Sequence, residues 1–426
     1  MPTDDHRPGT LLRRISDYAN RADPYPLYAE LREHKVAQQD DGSYLVGTYH
    51  EIVSLLHDPR ISSDPRHRTE PPEQEPGAQN LPPSFIALDD PEHDRLRRIA
   101  NRPFGPPHTP GLIDSLTDDI TAIADELITA LASRDRIDLV DDFAFPLPVT
   151  VICRLLGVPA EDIPQVHAWT TDIIASLDFD AGDDVDQRRR TALAARDEMA
   201  DYLGRLAGQR RGHPTGDMLS AFVGNPGGSG DPGDPGAPGD PGDGRPYSEP
   251  ELKATTLLLL IAGHETTVNL ITNGMLTLLR NPDTLTLLRE TPDLMPAAVE
   301  EILRYEPPLQ LLPQRTPLTD IDIAGVTVPQ GVPLILALAA GNRDPLRFAD
   351  PDRFDITRAD NQHLGFGSGV HNCYGAPLAR VETRIALTLL LTRLDRPSLA
   401  EDPPPYRRSP ILRGPRHLPL ALGNRS

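Results

Sequence analysis

Apolar positions recur at helical spacing along most of the chain. Leu27, Tyr28 and Leu31 line one face of a predicted short helix over 26–34, a strand follows at 43–47, and a second short helix at 49–57. Residues 89–102, DDPEHDRLRRIANR, open with aspartate at the capping position and an early proline, then continue as an arginine-rich helix. Further helices are expected over 112–133, 145–156, 163–177 and 187–211. The longest begins at a capping box, Ser248-Glu249-Pro250-Glu251, and stops at Asn281-Pro282. Its middle, LLLLIAGHETTVNLI, is apolar almost all round, which implies burial. Helices over 296–305 and 376–394 follow, the latter turning Leu378, Ile385, Leu389 and Leu390 inward. Between them DIDIAGVTVPQGVPLILAL alternates as short strands around a Val-Pro-Gln-Gly turn, and 410–420 predicts a final hairpin.

Two stretches break the periodicity. Residues 58–83 are rich in proline, charge and histidine and read as a long surface loop. Residues 225–244 repeat glycine at every third position from Gly230 to Gly242. So short a run of triplets in globular surroundings is a poor collagen, and a disordered or polyproline-like surface insertion is the better reading.

Composition narrows the class. The chain has 426 residues, enough for a sizeable core around a buried cofactor. A net charge of −21 argues against nucleic acid and anionic membrane as main partners. Cys153 and Cys373 are the two cysteines, too few for a disulfide framework or a multi-thiolate zinc site. The N-terminal residues carry no apolar stretch fit for a leader or anchor, and the longest apolar runs are far short of a membrane span. The expectation is a soluble, cytoplasmic protein.

Candidate chemistry centres on 366–380, FGSGVHNCYGAPLAR. Gly367, Gly369 and Gly375 let backbone run close to something bulky and flat and admit positive φ without penalty. Cys373 stands just before a helix start, where unpaired amides favour a thiolate. A single cysteine is usually a small buried hydrophobe, the expected role of Cys153 within PLPVTVICRLLG. A glycine loop before a helix can also cradle phosphate, but this one lacks GxGxxG spacing and a Lys-Ser/Thr ending. The whole pattern, F-G-x-G-x-H-x-C-x-G, resembles the haem-binding loop of the cytochrome P450 family.

Other stretches carry the same resemblance in the same order. His93 and Arg97 resemble the family's H-x-x-x-R pair for haem propionates. Ala262-Gly263 followed by Glu265 and Thr266 resembles its oxygen-binding groove, with Glu265 relaying protons and Thr266 orienting water during dioxygen activation. Glu301 and Arg304 form E-x-x-R, and the resemblance makes Arg353 the third member of a structural triad. Arg315 and His371 resemble further propionate ligands. His264 reads as a packing residue.

The resemblance implies a mainly α fold, a helix-rich haem domain spanning 1–426 with a small β-rich region, interrupted by the 225–244 insertion. It implies haem b (iron protoporphyrin IX) with Cys373 as iron ligand and Phe366, Gly367, Gly375 and Ala262 against the cofactor. The implied activity is monooxygenation of an apolar small molecule such as a polyketide, terpenoid or peptide scaffold. Electrons from NAD(P)H would arrive through ferredoxin reductase and ferredoxin, since no flavin or iron–sulfur motif is present. The implied state is a monomer. Arg95, Arg98, Arg102 and Arg384 form a candidate basic dock for an acidic ferredoxin. The substrate pocket would draw on 61–88, 176–186, 258–262, 309–312 and 411–412. A peroxygenase using peroxide alone, or a non-catalytic haem protein recruiting a biosynthetic partner, are the competing readings.

Overall fold

Short amphipathic helices and short strands alternate at the start of the chain: α1 (Leu11–Ser16), α2 (Tyr25–His34), β1 (Val36–Gln38), β2 (Tyr44–Val46), α3 (Tyr49–His57) and β3 (Ile61–Ser62). Helices dominate the middle, with α4 (Glu92–Phe104), α5 (Leu112–Leu131), the strand β4 (Arg136–Asp138), α6 (Pro146–Leu156), α7 (Ile163–Ala175), α8 (Val185–Gly212) and α9 (Met218–Val223). The long α10 (Glu249–Arg280) leads into α11 (Pro282–Glu290) and α12 (Met295–Tyr305). Then come β5 (Leu312–Pro317), β6 (Ile321–Ile323), β7 (Val326–Val328), β8 (Leu334–Leu336) and α13 (Leu338–Gly341). The chain closes with α14 (Ala376–Arg393), β9 (Ser398–Leu399) and β10 (Pro419–Ala421). The architecture is mainly α with small sheets, as the resemblance implied.

This structure is a computed structural model that describes residues 7–71, 79, 81–104, 112–131, 133–176, 185–224 and 245–423. The expected insertion at 225–244, positions 177–184 of the expected pocket loop and 72–78 and 80 of the 58–83 loop lie outside the described residues.

Contacts divide the chain into two compact units. The first comprises Met1–Pro72, Thr117–Pro148 and His264–Ser426; the second comprises Glu73–Leu116 and Val149–Gly263.

The first unit is built on a five-stranded sheet ordered β1-β2-β8-β5-β3. Alternation along its strands loads both faces with apolar side chains. Val36, Val46, Leu334 and Leu336 join one buried cluster, with Ile52 and Leu55 of α3. Ala37, Leu45 and Ile335 face the other cluster, with Leu11 of α1 and Leu27 and Leu31 of α2. A sheet covered on both faces is a rigid base, and β5 carries Arg315 opposite Leu334 on β8.

The second unit is helical. Along α7 and α8, Trp169 donates its indole N–H to Glu198 at 2.8 Å and its ring meets Tyr202. Tyr247, just before α10, donates to the Leu96 carbonyl of α4 at 2.8 Å.

Local chemistry set most boundaries within a few residues. The capping box forms: the Ser248 amide and hydroxyl each donate to Glu251 at 2.8 Å, and the Glu251 amide returns a bond at 3.4 Å. The Val-Pro-Gln-Gly turn forms between β7 and β8, with Gly331 at a φ of 80°; a further turn at Ala324-Gly325, both with positive φ (53° and 85°), makes the β6–β7 hairpin. α10 stops at Arg280 as expected, and Pro282 also starts α11, because a first-turn proline needs no amide hydrogen. One expectation needed correction. The terminal reversal is centred earlier than 410–420: Tyr406 bridges Pro415, while β10 joins β4 and β9.

Among the described residues α10 is also the one helix long and apolar enough to cross a membrane by length and composition. That stretch is 72% buried within the protein, as in a core helix.

Candidate functional site

The loop at 366–375 owes its path to two left-handed glycines, Gly367 (φ +68°) and Gly369 (φ +70°). At Gly369 a Cβ would fall 2.2 Å from the Leu56 carbonyl of α3, so glycine is needed for backbone approach as well. Gly375 departs from the sequence expectation: its φ of −82° is ordinary, and it stands at the N-cap of α14 with Pro377 in the first turn. The Cys373 amide donates to the Phe366 carbonyl at 2.9 Å and closes the loop. His57 on α3 meets Ser368 Oγ at 2.8 Å and ties it down.

Cys373 is exposed at the end of this loop, while Cys153 is buried. Burial pushes the Cys153 thiol up to about 12, which makes it an inert packing residue.

On α10 the buried pattern breaks in mid-helix. Ala262 is exposed and Gly263 half-buried, then His264 and Glu265 are buried and Thr266 half-buried. His264 packs edge-on to Phe145 at 6.1 Å, the structural role expected of it. Glu265 Oε1 lies 3.1 Å from Arg407 Nε and accepts from Asn269 Nδ2 at 3.4 Å. Asn273, one turn further, donates to the Arg413 carbonyl at 3.0 Å. Gly414 approaches so closely that a Cβ would sit 2.2 Å from Asn269 Oδ1. Glu265, Asn269 and Asn273 are thus one stripe of α10, spaced four apart, against which the 405–416 reversal packs. Sequence reading missed Arg407 and Asn269; the E-x-x-x-N-x-x-x-N spacing inside an apolar helix was the available signal.

The basic candidates divide between the units. His93 and Arg97 lie one turn apart on α4, His93 buried with Nδ1 3.2 Å from Asp90, Arg97 half-buried. In the first unit Arg315 is buried on β5 and His371 is half-buried in the cysteine loop.

Two expected roles are overturned. Arg95 is not a surface dock: it is buried between Glu92, at 2.7 Å, and Glu251. Arg98 is matched by Asp94 of the same helix at 2.6 Å; the Arg102 side chain is outside the described residues, and Arg384 is exposed on α14. Arg353 is not the third member of the Glu301–Arg304 cluster. Its side chain is 68% exposed, and Arg358, 10% exposed, brings Nε to 3.4 Å from Glu301 Oε2.

Two segments expected around a pocket do meet. Leu309 bridges Leu412, and the Gln310 amide donates to the Ile411 carbonyl at 2.8 Å. Leu309, Leu312, Ile411 and Leu412 are all half-buried apolar residues.

These features fit a haem on chemical grounds. The loop offers an exposed thiol, and ideal Cβ atoms on Gly367 and Gly375 meet no protein atom within 4 Å, which leaves room for a flat group against the backbone. The imidazole and guanidinium candidates are the donor types that bind carboxylates.

Comparison with known proteins agrees. A sequence profile described as Cytochrome P450 matches residues 239–418. Vitamin D(3) 25-hydroxylase of Pseudonocardia autotrophica is 40% identical over 412 residues, covering 95% of this chain and 94% of the relative. The cytochrome P450 monooxygenase PikC of Streptomyces venezuelae is 40% identical over 410 residues, covering 94% and 91%. The solved structure of P450BioI, in complex with an acyl carrier protein ligated to hexadec-9Z-enoic acid, superposes with a TM-score of 0.82 at 35% identity, covering 95% of this chain and 100% of that one. The chain belongs to the cytochrome P450 family and is a haem b monooxygenase.

Proposed function

We propose that this enzyme inserts one oxygen atom from O₂ into an apolar small molecule, by hydroxylation or epoxidation, in secondary metabolism. Its electrons come from NAD(P)H by way of ferredoxin reductase and ferredoxin. The observation that carries this reading is the acid-alcohol pair on α10: Glu265, buried and ion-paired to Arg407, directly precedes the half-buried Thr266. A peroxygenase receives its protons with peroxide, and a non-catalytic haem protein needs none, so neither calls for a buried carboxylate at this position.

When bound, haem b would supply one-electron chemistry and the activation of dioxygen. Cys373 would provide its thiolate ligand. Phe366, Gly367, Gly375 and Ala262 would lie against the cofactor. His93, Arg97, Arg315 and His371 would pair its propionates, and four cationic or hydrogen-bonding donors suffice for two carboxylates. Glu265 takes up a proton on its carboxylate and passes it toward Thr266, whose Oγ holds the water that delivers it. Leu309, Leu312, Ile411 and Leu412 present an aliphatic wall to the substrate. The vitamin D(3) in the name of one relative and the hexadec-9Z-enoic acid carried by the acyl carrier protein on another are likewise largely hydrocarbon and support a hydrophobic substrate.

The test is direct. Cys373→Ser should abolish the red-shifted Soret band of the reduced carbonyl complex, and survival of that band removes the ligand assignment. Thr266→Ala should release peroxide and lower product per NAD(P)H; unchanged coupling places proton delivery elsewhere.

A further inference from the structure

The cysteine loop is braced by a ring of side chains that the proposed reaction does not use. Arg380 on α14 donates Nε to Glu300 Oε1 at 2.6 Å and Nη2 to Oε2 at 2.9 Å, a bidentate pair with α12. His363 Nδ1 accepts the Gly365 amide at 3.0 Å, so its Nε2 carries the hydrogen and donates to Glu300 Oε2 at 3.1 Å. The Arg380 guanidinium also lies over the Phe366 ring, 4.5 Å from its centre, and the His363 ring leans on the same phenyl at 6.0 Å. Phe366 in turn accepts the Cys373 amide. Burial opposes the Glu300 charge, but hydrogen bonds from Arg380 and His363 outweigh it and bring the carboxyl down to about 2. At neutral pH the couple is therefore a full carboxylate beside a full guanidinium. Hydrogen bonding to Glu300 holds the Arg380 charge most strongly, and the ring that the guanidinium covers belongs to the residue whose carbonyl accepts the Cys373 amide, which places the cation against the cysteine loop.

We propose that Glu300 and Arg380 form a charge couple that sets the reduction potential of the haem, with Glu300 masking the Arg380 cation from the thiolate end. The inference rests on the reading of Cys373 as axial ligand. Reduction adds one electron and one unit of negative charge at the iron–thiolate unit. A neighbouring cation favours the reduced form and a neighbouring anion the oxidised one. Neither residue touches substrate or iron; both are positioning residues acting through charge and through Phe366.

The experiment is spectroelectrochemical titration of the haem-loaded protein and its Glu300→Gln, Arg380→Gln, Arg380→Lys and double Gln variants. Glu300→Gln unmasks the guanidinium and should shift the potential upward. Arg380→Gln leaves the carboxylate and should shift it downward, while Arg380→Lys and the double variant stay near the parent. A purely mechanical brace predicts shifts of one sign in both single variants, and that result, or no shift, overturns the proposal. If Glu300→Gln loads no haem, the two Arg380 variants decide alone, since Gln and Lys must then differ. Should Cys373→Ser keep the red-shifted carbonyl band, the ligand reading itself fails. Should it lose that band while the Glu300 and Arg380 variants keep it at parent potential, only the charge couple fails.

Discussion

Arg407 Nε stands 3.1 Å from Glu265 Oε1, and both side chains are 6% exposed. The arginine comes from the 405–416 reversal, where its amide donates to the Gly414 carbonyl at 3.1 Å, and the acid from the middle of α10. Asn269 also donates to Oε1, at 3.4 Å, so two side chains converge on that carboxylate oxygen. The same reversal supplies Ile411 and Leu412 to the aliphatic wall. One short segment thus carries both part of the proposed substrate wall and the counter-ion of the proposed proton relay.

Arg407→Gln should therefore lower product formed per NAD(P)H by about tenfold, in keeping with the sensitivity of catalysis to small displacements of a reacting group. Arg407→Lys, which keeps the charge, should recover part of that loss. Coupling assays alongside the carbonyl spectrum separate this from simple loss of haem. Equal coupling in all three proteins would mean that the ion pair only packs the reversal.

Glu301 and Arg304 share a bidentate pair with no solvent exposure, at 2.7 and 2.8 Å. Removing one partner of such a pair strands a buried charge, so Arg304→Ala should cost about 3–5 kcal/mol. Arg358 closes the cluster and donates to the Ala349 carbonyl at 2.7 Å, and Arg358→Ala should cost about 1–3 kcal/mol. Arg353→Ala removes a solvated side chain but not the backbone carbonyl that accepts from Arg304 Nη2 at 3.0 Å, and should fall within roughly 0.5 kcal/mol of the parent. Denaturant unfolding of the three variants checks the ranking.

What was legible in the chain follows from the range of the forces involved. The Ser248–Glu251 box, the Glu301–Arg304 pair and the cysteine loop are local patterns, and each forms where its spacing put it. Arg353 and Arg358 sit in the same irregular segment, and only its tertiary path decides which guanidinium turns inward. Arg95 looked like surface because its own helix was read without Glu251, which arrives from the start of α10. Arg407 is remote in sequence from Glu265, and no helical or strand period links them. The polar stripe at Glu265, Asn269 and Asn273 was the trace of that contact in the sequence: polar groups inside an apolar helix must meet something.

Glu382 on α14 is a buried acid of opposite character to the half-buried Glu300. It is 1% exposed, and its Oε2 has no hydrogen-bonding partner among the described residues. Burial alone raises its carboxyl well above the ordinary carboxylate range. Between the unfolded and the raised folded value the folded chain binds the extra proton, so stability falls as pH rises. The contribution is complete below the ordinary value of 4.5 and is lost as pH climbs toward the folded one. Glu382→Gln keeps the shape and removes the titration. It should match the parent near pH 4 and exceed it by about 1–3 kcal/mol near pH 8, the scale of an uncompensated buried polar group. Unfolding in urea across that range tests the sign: a difference that stays flat, or a parent that gains stability as pH rises, would show that Glu382 is ionised in place.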